Sequence, residues 1–369
     1  MKKVALHGSY YGDNFGDTLF VIHFINWLNE NEKNTISSIH LPFASDRVRK
    51  LVRVSEKRGI RSIIEADSLV FFGGGYLGEP PGKNKVWSYR LIIRHLSVAL
   101  LAFLFKKPFI FIGVGAGPLT NKLARKLTVF LCNKSKKTVV RDIESKEYLI
   151  RYGVKENKLK VTADSILTLQ SQNVDSTQSA LIKNKINVEK KDACLLIGVH
   201  LPINKNDNDK LILLIKDLKK YCDEIGKYKL VVFNDFYKEN YDYQAFTNIK
   251  DEFGEENVIG IDYNNPQQLI ALINELNIVI TTKLHCGIVA NCLGKYTLSV
   301  SVHNKTKRLY KQLNLEERNV ALKEYKSGYL FDMLNNFKMN KKEYNNIPDS
   351  IRILADENRK ELNSFIRNY

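Results

Sequence analysis

Short runs of β-branched and aromatic residues alternate with helix-patterned segments along this chain. The runs include KVALHG, DSLVFFGGG and KPFIFIGVGAG in the first half, and ACLLIGVHLP, KLVVFND and NIVITT in the second. An apolar run this short, without polar alternation, reads as a strand covered on both faces, as in a parallel sheet flanked by helices. The repeated order of strand, helix, strand predicts an α/β chain of doubly wound, Rossmann-like sheets. In such sheets ligands bind beyond the carboxyl ends of the strands, in the loops that open each helix. A chain of 369 residues is longer than one core ordinarily supports, so two such domains facing a cleft are expected.

The pattern is interrupted once. From Gln170 to Asp192 the text is polar and loses its period, which predicts a linker over 171–192. It separates an N-terminal Rossmann-like domain, 1–170, from a C-terminal one, 193–339, that carries the anion site. A polar, helix-patterned tail covers 340–369. The first helix is expected from about Thr18, with Asp17 as its cap. DRVRKLVRVSEKRG, from Asp46, reads as a basic helix.

Composition narrows the function classes. Hydrophobic content of 44% with 10% aromatics is that of a folded, globular chain. The five cysteines are odd in number and form no CxxC pair, which points to reduced thiols in the cytoplasm. The opening MKKVALHGSYYGDN lacks the apolar core of a secretory leader and reads as a first strand. No HxxxH, HExxH or acidic cluster argues for a metal, and no loop has nucleotide-binding spacing, so no metal and no cofactor are expected.

The net charge of +17 fits an acidic substrate, an anionic membrane surface or nucleic acid. Nucleic acid is set aside, because the lysines are scattered and no binding motif accompanies them. A composition rich in Lys, Asn and Ile is the bland alternative for part of the excess. Residues 86–105 are apolar apart from Arg90, Arg94 and His95, but the uninterrupted part, Leu96 to Phe105, is far short of the ~20 residues that cross a bilayer. It reads as a core helix or as an interfacial helix with a basic rim.

Chemistry concentrates at Asn277 to Gly294, NIVITTKLHCGIVANCLG. A strand closes at two threonines and a helix opens at Lys283, Leu284 and His285, where unpaired N–H groups and the positive end of the helix dipole favour an anion. Lys283 adds positive charge and His285 a proton carrier. The plain alternative is a surface Lys and His on a turn. Lys305 and Lys307, one strand further on, are placed to join the same anion site. In the first half, GSYYGDNFGD, FFGGGYLGEPPG and GVGAGPL follow strands, offering Asp13, Asn14, Asp17, Gly73, Gly74, Gly75 and Gly115 as loop or acceptor-side residues. Arg141 closes a strand and can grip a carboxylate or phosphate, or merely stabilise its turn with Asp142.

Taken together, GDNFGDTLF, FFGGGYL, GVGAGPL, VVRDIESKEYL, ADSIL and TTKLHCGIVANCLG, closed by HNKTKRLYKQLNL, resemble the polysaccharide pyruvyl transferases in order and over most of the chain. The resemblance implies a GT-B-like fold and transfer of pyruvate from phosphoenolpyruvate onto a sugar as a ketal. The acceptor expected on this reading is a sugar of a capsule or exopolysaccharide, or its polyprenyl-diphosphate-linked precursor; a lipid-linked acceptor would also explain the positive charge and the basic apolar segment 86–107, by peripheral contact with anionic lipid. His285 is then the catalytic acid, while Arg141, Lys283, Lys305 and Lys307 hold the donor. The family's Arg-Leu-His reads Lys283-Leu284-His285 here, a point charge where the family has a two-pronged one. A nucleotide-sugar glycosyltransferase and a non-catalytic family member are the alternative readings.

Overall fold

The computed structural model describes residues 2–11, 14–30, 36–79, 84–186, 194–202, 205–237, 243–338, 344 and 346–369. Two compact units result: Met1–Thr168 together with Asp349–Tyr369, and Leu169–Pro348. In unit 1 the strands are β1 (Lys2–His7), β2 (Ile36–His40), β3 (Ser68–Phe72), β4 (Phe109–Val114), β5 (Thr138–Val140) and β6 (Leu159–Val161). They form one sheet in the order β2-β1-β3-β4-β5-β6, every pair parallel. Every residue of β3 and β4 is buried, as an apolar run covered on both faces requires.

The helices of unit 1 are α1 (Phe15–Glu30), α2 (Asp46–Lys50), α3 (Gly59–Glu65), α4 (Asn84–Leu91), α5 (Ser97–Leu104), α6 (Lys122–Lys134) and α7 (Ile143–Tyr152). A π-helical turn, Ile92–Leu96, joins α4 to α5. Helices α3, α5, α6 and α7 contact one another in series and so share one face of the sheet. The aromatic core includes Phe20, Phe24, Phe71, Phe72 and Phe111, all fully buried.

Unit 2 repeats the plan with β7 (Leu195–His200), β8 (Tyr228–Phe233), β9 (Val258–Ile261), β10 (Ile278–Thr281), β11 (Tyr296–Ser301) and β12 (Asn319–Ala321). Their order is β12-β11-β10-β7-β8-β9, again all parallel. Its helices are α8 (Ser176–Ile186), α9 (Asn208–Ile225), α10 (Tyr243–Phe253), α11 (Pro266–Glu275), α12 (Leu284–Cys292), α13 (Asn304–Gln312) and α14 (Tyr329–Asn335). In each unit the strand order reverses once, between β1 and β3 and between β7 and β10. A reversal separates the loops on its two sides and leaves a crevice at the carboxyl ends of those strands.

Four boundaries differ from the sequence reading. The stretch read as linker, 171–192, contains α8, which packs against α11 inside unit 2. The tail is no appendage. Its helix α15 (Asp349–Asn368) belongs to unit 1, where the buried Asn358 donates to Ala163 O at 2.9 Å and accepts from Thr162 Oγ1 at 3.0 Å. Ion pairs of Lys160 with Glu357 and Glu361, and of Lys137 with Glu361, fasten the outer side. The basic helix from Asp46 stops at Lys50, and α3 begins separately at Gly59. Helix α1 starts at Phe15, and its cap is Asn14, whose Oδ1 accepts from Asp17 N at 2.9 Å; Asp17 sits in the first turn and takes Asn14 Nδ2 at 2.5 Å.

Candidate functional site

In unit 2 the reversal brings the carboxyl ends of β7 and β10 side by side, with Thr281 paired to His200. Both strands end in hydrogen-bonding residues, and these lock the loop. His200 Nδ1 lies 3.1 Å from Thr281 Oγ1, Thr281 Oγ1 accepts from Lys283 N at 3.0 Å, and Thr282 N donates to His200 O at 3.1 Å. Lys283 is thereby fixed in extended backbone as the residue that opens α12, and its side chain caps none of the first-turn N–H groups. Those donors and the helix dipole face whatever lies beyond the strand ends.

Lys283 is part-exposed, with its ammonium 3.6 Å from Asp235 Oδ1 just past β8. The same carboxylate oxygen is 3.4 Å from His200 Nε2, and the His200 ring stacks on Phe233 at 5.0 Å between centroids. Asp235 therefore ties the wholly buried His200 to the part-exposed Lys283. His285 stands in the first turn of α12, part-buried, so lysine and imidazole share one junction as the sequence predicts. Lys305 and Lys307 are exposed in the opening turns of α13, which leaves the carboxyl end of β11, the strand paired with β10.

His200, Asp235 and Cys286 also bring three ligand atoms within 4.8 Å of one another, a grouping that could hold a metal ion. The residue types suit a divalent ion, yet Lys283 already sets a positive charge beside the same carboxylate. Sequence reading missed Asp235, since one Asp after KLVVFN carries no spacing signal.

In unit 1 the glycine loops after β3 and β4 are bound chiefly to each other. Gly115 N donates to Gly74 O at 2.8 Å, Leu77 N to Gly115 O at 3.2 Å, Gly117 N to Leu77 O at 3.2 Å, and Gly73 N to Ile112 O at 2.9 Å. The amides of Gly73 and Gly115, expected to meet a ligand, are therefore spent within the fold. What these glycines supply is room. A Cβ on Gly73 would lie 2.6 Å from the Phe20 ring, at a backbone φ of +47°; one on Gly115 would lie 3.0 Å from Arg141 Nε. Gly75 is exposed and sits over the same guanidinium, with its Cβ position 3.3 Å from Arg141 Nη2.

Arg141 leaves the end of β5 and is buried, with Nη1 donating to Asp164 Oδ2 at 3.0 Å; Asp142 lies farther off, at 3.8 Å from Nε. Asp142 instead caps α7 by accepting from Ser145 N at 2.7 Å. The partner is thus the Asp of ADSIL, not the sequence neighbour. Asp164 also accepts from Ile166 N at 3.2 Å, which fixes its carboxylate. The part of the guanidinium turned toward Gly75 and Gly115 is what this unit offers an anion. Asn14 and Asp17 lie part-buried at the start of α1, engaged with each other, while Asp13 lies outside the described residues.

Two further groups in unit 1 were given no role in the sequence reading. Glu79 closes the loop after β3, accepting from Thr120 N at 2.9 Å, Thr120 Oγ1 at 2.7 Å and the Ser88 hydroxyl. Burial pushes its carboxyl up, but these donors carry it below the usual range. His7, at the end of β1, lies 3.2 Å from His95 on the π turn, and His95 stacks on Tyr76 at 4.2 Å. Desolvation holds His7 down to about 3 and His95 well below the ordinary imidazole value.

Known structures share this architecture. The UDP-GlcNAc 2-epimerase of Neisseria meningitidis, bound to UDP-GlcNAc, is 14% identical with a TM-score of 0.67, each chain covered over 100%. That of Methanocaldococcus jannaschii is also 14% identical, at a TM-score of 0.68 with 99% of this chain and 100% of that one covered. Anabaena HepE in complex with UDP-glucose is 13% identical, at a TM-score of 0.61 with 100% and 99% covered. At such identities the likeness is one of fold, that of GT-B-like enzymes with two Rossmann-like domains. No curated protein sequence matches. A sequence model described as "Polysaccharide pyruvyl transferase" matches residues 14–304, from the Asn14 cap of α1 through the β10–α12 junction to the start of α13. With most of its length covered by that model, the chain belongs to the polysaccharide pyruvyl transferase family.

Proposed function

We propose that this chain transfers pyruvate from phosphoenolpyruvate to a saccharide acceptor, joining two of its hydroxyls as a cyclic ketal. The observation that carries the reading is the β10–α12 junction, where Lys283, His285 and the opening turn of α12 share the crevice of a doubly wound sheet. Phosphoenolpyruvate is small and heavily anionic, so it needs cations and oriented N–H donors together. Lys283, Lys305 and Lys307 supply the charge in unit 2, and Arg141 is the candidate anion group of unit 1.

In this reading His285 delivers a proton to the methylene carbon of the donor, which becomes the methyl group. The adjacent carbon turns electrophilic, and a sugar hydroxyl attacks it and loses its proton. Phosphate departs with the electrons of its C–O bond, and a second hydroxyl closes the ring. Atoms balance as donor plus diol giving ketal plus phosphate, with no cofactor and no metal. General acid catalysis of this kind typically contributes about 10²–10⁴-fold in rate. Asn14, Asp17 and the loops of Gly73, Gly74, Gly75 and Gly115 are proposed to border the acceptor. That acceptor is a sugar of a capsule or exopolysaccharide, free or carried on polyprenyl diphosphate, and the enzyme works in the cytoplasm.

Turnover in deuterated water tests the proton step. One deuterium in the product methyl group, lost together with phosphate release in His285→Gln, is the expected result; phosphate release unchanged in that variant would remove His285 from the role. A second reading, a nucleotide-sugar enzyme, is favoured by one observation: the structures of like fold hold UDP-GlcNAc or UDP-glucose.

A further inference from the structure

Between Glu79 and Asp142 the sequence holds thirteen Lys or Arg and no acidic residue. The structure turns much of that stretch onto one side of unit 1, where α4, α5 and α6 lie together. The helical stretch through α4 and α5 is apolar on two faces. Its inner face, with Leu91, Leu96, Ala99 and Ala102, is buried in the core beside Phe109 and Phe111 of β4. Its outer face repeats at helical spacing through Val86, Arg90, Ile93 and Leu104. Ile93 is 69% exposed and Leu104 is 63% exposed.

By length and composition alone Val86–Leu104 could cross a bilayer. The buried inner face fixes it against the sheet instead, so only the outer face is on offer. The neighbouring α6 alternates on the same side: exposed Lys122, Leu123, Lys126, Phe130 and Lys134 follow one another along its outer edge. Lys134 lies 5.8 Å from the Phe103 ring and 5.9 Å from Phe130, and those rings meet edge-on at 5.1 Å. Trp87 and Tyr89 are exposed at the start of the stretch, with Arg90 stacked 5.4 Å from the Trp87 ring.

We propose that this face seats unit 1 on an anionic lipid bilayer, its apolar stripe dipping to the level of the acyl chains and its Lys and Arg meeting the headgroups. Charge complementarity selects that occupant. Basic side chains interleave the apolar ones without an acidic residue on α4, α5 or α6, and the exposed Trp and Tyr are side chains that settle at a membrane interface. Among the described residues, acidic side chains beside the patch are the buried Glu79, held by Ser88 and Thr120, and on the flanks Glu65 of α3, paired with Lys57 and Arg61, and Glu144 and Glu147 of α7. The inference rests on this surface and not on the pyruvyl transfer reading, to which it adds a place for a lipid-linked acceptor.

Co-sedimentation of the full chain with vesicles tests it, with neither donor nor acceptor present. Binding to phosphatidylglycerol-containing vesicles is expected, with loss on pure phosphatidylcholine and at high salt. Lys122→Glu with Lys126→Glu weakens partitioning about 30-fold or more, at about fivefold for each basic residue removed, and Ile93→Glu with Leu104→Glu abolishes it. All four positions are exposed, and unchanged thermal melts confirm folding. Three results each overturn the proposal: no binding to anionic vesicles, binding unaffected by these changes, or a wild-type dimer that Ile93→Glu dissociates. Because phosphate release from phosphoenolpyruvate is assayed separately, failure here leaves the transfer reading standing, and the reverse holds.

Discussion

The Arg141–Asp164 pair gives the sharpest test of how unit 1 is built. The two side chains are 8% and 4% exposed and 3.0 Å apart, so each is the other's counter-charge in a nearly water-free setting. Removing one partner of a buried pair costs about 3–5 kcal/mol, because the remaining charge stays buried. In Asp164→Asn the amide oxygen keeps a neutral hydrogen bond worth about 1 kcal/mol, leaving a loss of about 2–4 kcal/mol. Arg141→Met takes the paired counter-charge from the buried carboxylate, which keeps the Ile166 N–H, for about 3–5 kcal/mol. Combined, the two changes remove both charges of the pair, and the amide that replaces the Asp164 carboxylate retains the contact with Ile166, so the total falls to about 1–2 kcal/mol. The cycle therefore shows a coupling of at least about 3 kcal/mol. Urea unfolding followed by tryptophan fluorescence reads it directly, since both tryptophans, Trp27 and Trp87, belong to unit 1. With a slope of about 2 kcal/mol per molar urea, the singles move the midpoint by about 1–2.5 M and the double by about 0.5–1 M. Singles within about 0.5 kcal/mol of wild type, or additive losses in the double, would refute the buried pair. The folded double variant then separates structure from function: it should lose affinity for phosphoenolpyruvate while remaining native.

Three further outcomes follow from the same geometry. His7 and His95 are buried and His23 is part-buried, all with proton affinities lowered by desolvation, to about 3 for His7 and about 4 for His23. Unfolding restores them to about 6.5, so between about pH 4 and 6.5 the unfolded chain binds more protons. Stability of unit 1 is fully present above that window and falls on acidification, by up to about 4 kcal/mol per pH unit, in urea titrations against pH; a flat profile from pH 6.5 to 4.5 would contradict it. Gly73→Ala forces a side chain into the Phe20 ring at positive φ and should cost about 2–4 kcal/mol, measurable as a lowered unfolding midpoint, whereas Ala at Gly75, which would meet only the end of the Arg141 side chain at 3.3 Å, should cost less, about 1 kcal/mol. Chelation should leave phosphate release unchanged, because Lys283 and not a metal ion answers Asp235; loss of activity with stoichiometric metal found by elemental analysis would assign His200, Asp235 and Cys286 to an ion.

The fold was legible because each buried strand announces itself in a few consecutive residues, as in LVFF and IVIT, and the αβ alternation admits few topologies. The lysine and histidine of the β10–α12 junction were legible for the same reason, since the turn that unites them is local. Long-range pairings were not. Nothing near Arg141 in the chain names Asp164, 23 residues away, and nothing in the polar tail shows that Asn358 closes onto Thr162. The glycine loops were legible as tight backbone, but the reason for glycine at two of the positions was not: Gly73 packs against Phe20 and Gly115 against Arg141, both far away in the chain. Asn14 and Asp17 are three residues apart, and either could open a helix; the hydrogen-bond direction that chooses Asn14 is invisible without coordinates.

Binding of the donor is the most direct test of the central claim. Calorimetric titration of the wild-type chain with phosphoenolpyruvate, and separately with UDP-GlcNAc, should show heat of binding for the first alone, with affinity falling at least about tenfold in Lys283→Met when one charge-assisted contact is lost. Saturable binding of UDP-GlcNAc with none of phosphoenolpyruvate would contradict the account and make this a nucleotide-sugar enzyme.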